Sequence, residues 1–253
     1  MKGIATITTV NARRIDLRND SLRQAGEARI DTVAIDGQSL KVDAGANDCH
    51  LKKTGGKWSV TTDKEQFEAL EKKPGLQGPL DAAFLTRFAV VSPTGKSWHP
   101  GIGAHVATVE KQFAELWDKH LRGNLPAGKL DDAHNAILFG DPGSNPDIAE
   151  ILPKLPIRWT RDELVVNGVK YDPKTHYPAL IYPHPKAAWG YVVLNSGHTF
   201  KDADFRGTNA LLYPRLGDWA VLKPRPTKED PGAVEVVAAG IFDEFWQFKK
   251  EKK

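Results

Sequence analysis

Cysteine is nearly absent from this chain: Cys49 is the only one among 253 residues. A single cysteine excludes a disulfide framework within the chain and any cysteine-based zinc site. Long hydrophobic runs are missing too, and Met1-Lys2-Gly3-Ile4-Ala5-Thr6 lacks the apolar core of a signal peptide. With neither feature, no membrane partner is expected, and the chain as written reads as cytoplasmic. Concentrated charge of one sign is likewise lacking. The net charge is +3, and the one dense basic run, Lys249, Lys250, Lys252 and Lys253, reads as a solvated tail. Nucleic-acid binding calls for a basic stripe, so nucleic acid is not an expected partner. Hydrophobic residues at 40% and charged residues at 26% leave a globular chain able to bury a core.

Residues 1–62 alternate with the two-residue period of strands, through Ile4, Thr6, Thr8 and Val10, then Ile30, Val33 and Ile35. The turns Asp36-Gly37 and Thr54-Gly55-Gly56-Lys57 punctuate them, the second as a hairpin. This stretch reads as a small β module. Residues 63–84 carry a charged helical segment broken by Pro74, Gly75, Gly78 and Pro79, and read as a helical linker.

Residues 85–253 alternate strand and helix. Phe88-Ala89-Val90-Val91 and Ala136-Ile137-Leu138-Phe139 are buried-type strands. Between them Ile102, Val106, Val109, Phe113 and Leu116 repeat at helical steps, with Gly123 as a stop. Pro146 suits the first position of a second helix capped by Asn145 or Ser144. Asn167-Gly168 signals a hairpin, and further strands follow at 179–182, 191–194, 219–222 and 234–237. The expectation is an α/β domain with a mostly parallel open sheet and flanking helices, Rossmann-like or flavodoxin-like, preceded by the β module.

Several stretches carry a resemblance: Ile137-Leu138-Phe139-Gly140-Asp141-Pro142-Gly143-Ser144-Asn145, Leu155-Pro156-Ile157-Arg158-Trp159, and Tyr191 through Phe200. With Lys73-Pro74-Gly75-Leu76-Gln77-Gly78-Pro79 and Asp204 through Ala210, the chain resembles the C-terminal region of large bacterial prolyl-oligopeptidase-like peptidases or esterases. In those proteins an α/β-hydrolase domain lies upstream, and the resemblance implies it as a partner. That fold needs a Gly-x-Ser-x-Gly nucleophile elbow. The pattern occurs nowhere here.

In open α/β sheets ligands bind beyond the carboxyl ends of the strands. Three strand ends deliver Ser92, Thr94 and His99; Asp141, Ser144 and Asn145; and Asn195, Ser196 and His198. If these strands run parallel, the loops share one edge. The Gly140–Asn145 loop, followed by a helix start, suits an anion or a developing oxyanion. Ser144 stands as nucleophile, His198 as base and Asp202 or Asp204 as its orienter, with Ser92, Asp141, Asn145, Asn195 and Ser196 as substrate contacts. The competing chemistry is a divalent metal, calcium or zinc, on Asp132, His134 and Asp204, whose bound water attacks an ester or lactone carbonyl. Pro93-Thr94-Gly95-Lys96-Ser97 looks like the end of a phosphate loop, but Val90 stands where its first glycine belongs. Two functions follow. One is a hydrolase of small ester or lactone substrates, acyl lactones among them. The other is a non-catalytic accessory domain of a larger α/β-hydrolase-type esterase or peptidase.

Overall fold

Three short sequences, Asp36-Gly37, Gly55-Gly56 and Asn167-Gly168, adopt positive φ at both positions and close three tight hairpins. In this computed structural model the described residues are 3–18, 29–62, 70–207 and 215–249. They belong to two compact units, Met1–Ala69 and Leu70–Lys253.

The first unit holds two three-stranded sheets. One has the order β1 (Gly3–Ile7), β3 (Ile30–Ile35), β4 (Gln38–Lys41); the other has β2 (Arg14–Arg18), β5 (Asp48–Thr54), β6 (Lys57–Thr61). The β1–β3 pair is parallel and the remaining pairs are antiparallel. Val33, Ile35, Cys49, Leu51 and Trp58 form its core. Asp36 ties the strand ends together. Its carboxylate accepts from the Thr9 backbone (2.8 Å), the Thr9 hydroxyl (2.6 Å), the Trp58 indole (2.9 Å) and Lys53 (3.0 Å). These donors, Thr9 foremost, hold the carboxyl far below its usual range.

In the second unit, Leu76, Leu80 and Ala83 are buried in the main core, so residues 70–84 pack as part of this body. Residues 63–69 of the expected linker lie outside the described residues. The principal sheet has six strands in the order β15 (Val234–Gly240), β14 (Trp219–Pro224), β12 (Tyr177–Pro183), β13 (Tyr191–Leu194), β8 (Asn135–Leu138), β7 (Phe88–Val91). A small antiparallel sheet joins β9 (Arg158–Trp159), β10 (Leu164–Val166) and β11 (Val169–Tyr171).

The expected α/β fold with a mostly parallel sheet is overturned. The chain is mostly β, and the described residues hold two α-helices, α1 (Pro100–Leu121) and α2 (Pro146–Ile151). The pairs β7–β8 and β8–β13 are parallel, whereas β12–β13, β12–β14 and β14–β15 are antiparallel. Connection length is the physical reason. A parallel return needs a crossover of a dozen or more residues, which α1 supplies between β7 and β8. Between β12 and β13 only residues 184–190 are available, and between β14 and β15 only 225–233. Loops that short turn the chain straight back.

Helix α1 starts with Pro100 at its first turn and buries Ile102, His105, Val106 and Phe113. It ends with Arg122, not Gly123, in the left-handed conformation (φ 60°). Deeper in the body, buried Asp218 accepts from Lys72 and from the Phe242 backbone (2.8 Å), joining the start of the unit to its C-terminal segment.

Two outcomes are expected. Lys72→Met, which strips Asp218 of its cation, lowers unfolding free energy by about 3 kcal/mol in urea titrations. Because Asp36 ionises more readily folded than unfolded, its stabilisation is complete above the ordinary carboxyl pKa and drains away as pH falls below about 4. Hydrogen exchange of β3 and β6 amides in the full chain should accelerate over that acid window, and Asp36→Asn should remove the dependence.

Candidate functional site

Because β7, β8 and β13 run parallel, the chain leaves all three at one edge of the sheet. The three loops meet there with different outcomes.

After β8, the Gly140–Asn145 loop is filled by its own hydrogen bonds. Asp141 is buried and accepts from the backbone of Trp98, Gly143 and Ser144 at 2.9 Å and from the Ser97 hydroxyl. The Ser144 hydroxyl accepts from the Asp141 backbone N–H (2.9 Å) and donates back to its carbonyl (3.2 Å). Asn145 caps α2 through its side-chain oxygen and donates to Val91 and Phe139 carbonyls at 3.1 and 2.8 Å. Trp98 lies so close to Gly143 that an added Cβ would sit 2.4 Å from its ring. The loop is a plug that holds strand ends together, and its serine is spent within it. After β7, exposed Ser92 donates to Glu110 on α1.

After β13 the arrangement differs. Asn195 takes a left-handed conformation (φ 50°) and is 1% exposed. Its side chain accepts from the Gly140 N–H (2.8 Å) and donates to the Pro178 carbonyl (3.2 Å), while its backbone N–H reaches Leu138 (2.8 Å). Next comes Gly197, where an added Cβ would lie 2.4 Å from the Phe113 ring, so only glycine lets α1 approach. Thr199 then anchors the loop on buried Asp81, donating from its backbone at 2.8 Å and its hydroxyl at 2.5 Å. Burial pushes the Asp81 carboxyl up, and the Thr199 bonds partly oppose the shift.

This loop walls a cavity of about 320 Å3. Helix α1 contributes Val109, Gln112, Phe113 and Leu116; β12 and β14 contribute Tyr177 and Leu222. Asn195, Ser196 and His198 line it from the loop, with Lys201, Arg215 and Asp230 as its charged members. Most charge there is already matched. Arg215 pairs with Asp204, Lys201 lies 3.8 Å from Asp230, and Asp230 also accepts from Gln112 at 3.1 Å.

Two groups are not matched. The Tyr177 hydroxyl has no hydrogen-bond partner although the residue is 1% exposed, and burial pushes its pKa far up, so it stays protonated. Neither ring nitrogen of His198 meets a partner in hydrogen-bond geometry. Its ring packs among those of Phe84, Phe113, Trp117, Phe200 and Phe205, with centroids 5.4–6.4 Å away. Burial foremost, then the charge of His120, pushes the imidazole down to about 4; the nearby Phe200 backbone opposes this weakly. His198 is neutral at pH 7.

The triad read from the sequence is therefore not assembled. Ser144 is locked in its loop, and Asp202 is held by Lys119 (2.6 Å), His120 (2.8 Å) and Arg206 (2.8 Å) rather than by His198. Asp204 binds Arg215 and the Lys201 backbone. Asp132 and His134 precede β8, and no group of three potential metal ligands, with Asp204 or otherwise, converges among the described residues. Of the expected contacts, Asn195, Ser196 and His198 line the cavity, whereas Ser92, Asp141, Ser144 and Asn145 do not. Sequence reasoning missed Tyr177, Gln112, Arg215 and Asp230. No local motif marks them; Tyr177 opens a strand that reads simply as buried.

No helix among the described residues is long and apolar enough to cross a membrane. No protein-family model, curated protein or solved structure matches this chain.

Ser144→Ala is expected to cost about 2 kcal/mol of stability, because it strands the buried Asp141 N–H. It should not alter what the cavity holds. The depressed His198 pKa makes the folded state bind its proton later than the unfolded chain does. That term is fully present above about 6.5 and is lost as pH falls toward about 4. Acidification over that interval should therefore cost the wild type stability that His198→Phe keeps, so the two curves separate as pH falls, and a gap constant with pH would contradict it.

Proposed function

We propose that residues 70–253 form a non-catalytic binding domain. It holds a small, uncharged, mainly apolar molecule in the cavity beside β13, and it serves as an accessory part of a larger esterase- or peptidase-type hydrolase. One observation carries the reading: Tyr177, whose buried hydroxyl lacks a hydrogen-bond partner, is among the residues lining a cavity with mainly apolar walls. A buried donor left unpaired costs about 1–3 kcal/mol, and a guest carrying an acceptor removes that cost. A cavity of this size, with apolar walls and polar groups set among them, is the common form of a small-molecule site.

The charge of the guest follows from its surroundings. Tyr177 and His198 are neutral at pH 7, and Arg215 and Lys201 already have carboxylate neighbours. A carboxylate entering here would lose its water without gaining a dedicated cation. An ester, lactone or alcohol loses far less. The accessory role rests on the resemblance of the chain to a hydrolase C-terminal region and on the missing nucleophile elbow. The earlier hydrolase reading finds no support in the Ser144 loop, whose hydroxyl and carboxylate are committed to each other's backbone.

Titration calorimetry with methyl hexanoate and with hexanoate at pH 7 tests the proposal. The ester is expected to bind and to be recovered intact, and the carboxylate to bind at least tenfold more weakly. Tyr177→Phe should weaken ester binding roughly fivefold, the worth of one hydrogen bond. Turnover of the ester, or affinity unchanged in Tyr177→Phe, would overturn the reading.

A further inference from the structure

A second cavity of about 490 Å3 also has His198 in its wall. Its walls are almost entirely apolar, with Phe84, Leu85, Trp117, Leu121 and Phe205 among them. The one acid there, Asp81, has both carboxylate oxygens engaged by Thr199. His198 and Phe200 are the two residues that line both cavities. We infer that His198, with Phe200 beside it, is the partition between two halves of one elongated site, and that its imidazole sets the length of hydrocarbon chain the first cavity accepts.

The chemistry of the partition favours this assignment over plain packing. An imidazole with neither nitrogen bonded, set among five aromatic rings, is a costly way to fill apolar space. A phenylalanine would fill it without an unsatisfied polar atom. No hydrogen bond holds the imidazole, so removing it strands no partner and simply opens the wall. The polar end of a guest belongs in the first cavity, beside Tyr177 and Ser196; the second offers almost wholly apolar walls, its one acid engaged by Thr199. A chain reaching the partition stops there in the wild type and continues into the second cavity once the imidazole is gone.

This inference rests on the binding reading above, and straight-chain 1-alkanols from butanol to decanol separate the two. Wild-type affinity should rise about fourfold per methylene and then level off where the first cavity is filled. In His198→Ala the rise should continue for several more carbons. Leu121→Glu, on the exposed rim of the second cavity, should cut the added affinity when combined with His198→Ala. In the wild-type background Leu121→Glu should change nothing, an arm that stands even if His198→Ala fails to fold. The same plateau in wild type and His198→Ala overturns the partition while leaving the binding reading intact. So does a loss of long-chain affinity in Leu121→Glu alone, because the second cavity would then already be open. If no alkanol binds either protein, both readings fall.

Discussion

The second unit turns on one side chain. Asn195 stands where the parallel half of the six-stranded sheet meets the antiparallel half, and its amide bonds to both neighbours at once. Gly140 beyond β8 gives it an N–H, Pro178 at the start of β12 takes its N–H, and Leu138 takes its backbone proton. All these groups lie out of water, where an unpaired one costs as much as a bond is worth. Asn195 satisfies them with positive φ, a conformation asparagine tolerates better than most residues. That bend aims Ser196, Gly197 and His198 under α1 instead of onward along β13. The cavity, its buried tyrosine and its unbonded imidazole follow from the bend.

A division of labour separates two loops that look equally functional on paper. Gly140–Asn145 is rich in the glycine, aspartate, serine and asparagine that both phosphate sites and tight turns use. Here the Asp141, Ser144 and Asn145 side chains bind within the loop and tie it to β7, to the Ser97-Trp98 segment before α1 and to α2. The loop after β13 is plainer, yet polar atoms remain unspent around it. Chemistry is available where hydrogen-bonding capacity exceeds what folding consumes, and composition alone does not measure that excess. The first unit makes the same point from the other side: Asp36, a charged residue in a turn, is wholly absorbed in tying strand ends together.

Much of the local structure was legible in the residues. Asp36-Gly37, Gly55-Gly56 and Asn167-Gly168 announce primed turns because few other pairs tolerate positive φ twice in succession. The spacing of Ile102, Val106, Val109 and Phe113 marks α1, and Pro146 after Asn145 marks the start of α2. Strand direction was not legible. A strand buried on both faces reads as an unbroken apolar run whether its neighbours are parallel or antiparallel, as β12 and β13 both do. The short connections 184–190 and 225–233 were the available clues, since each is too short for a crossover helix.

Sequence by itself determined the tight turns, the start of α2, the lack of a nucleophile elbow and the exclusion of a disulfide within the chain, because each depends on residues a few positions apart or on a simple count. Tertiary structure alone decided that the sheet is mixed, that Ser144 is a structural residue, and that Tyr177, 21 positions before His198 in the chain, lines the same cavity. Those facts depend on which donors and acceptors remain unpaired once distant strands have met, and that balance exists only in the folded chain.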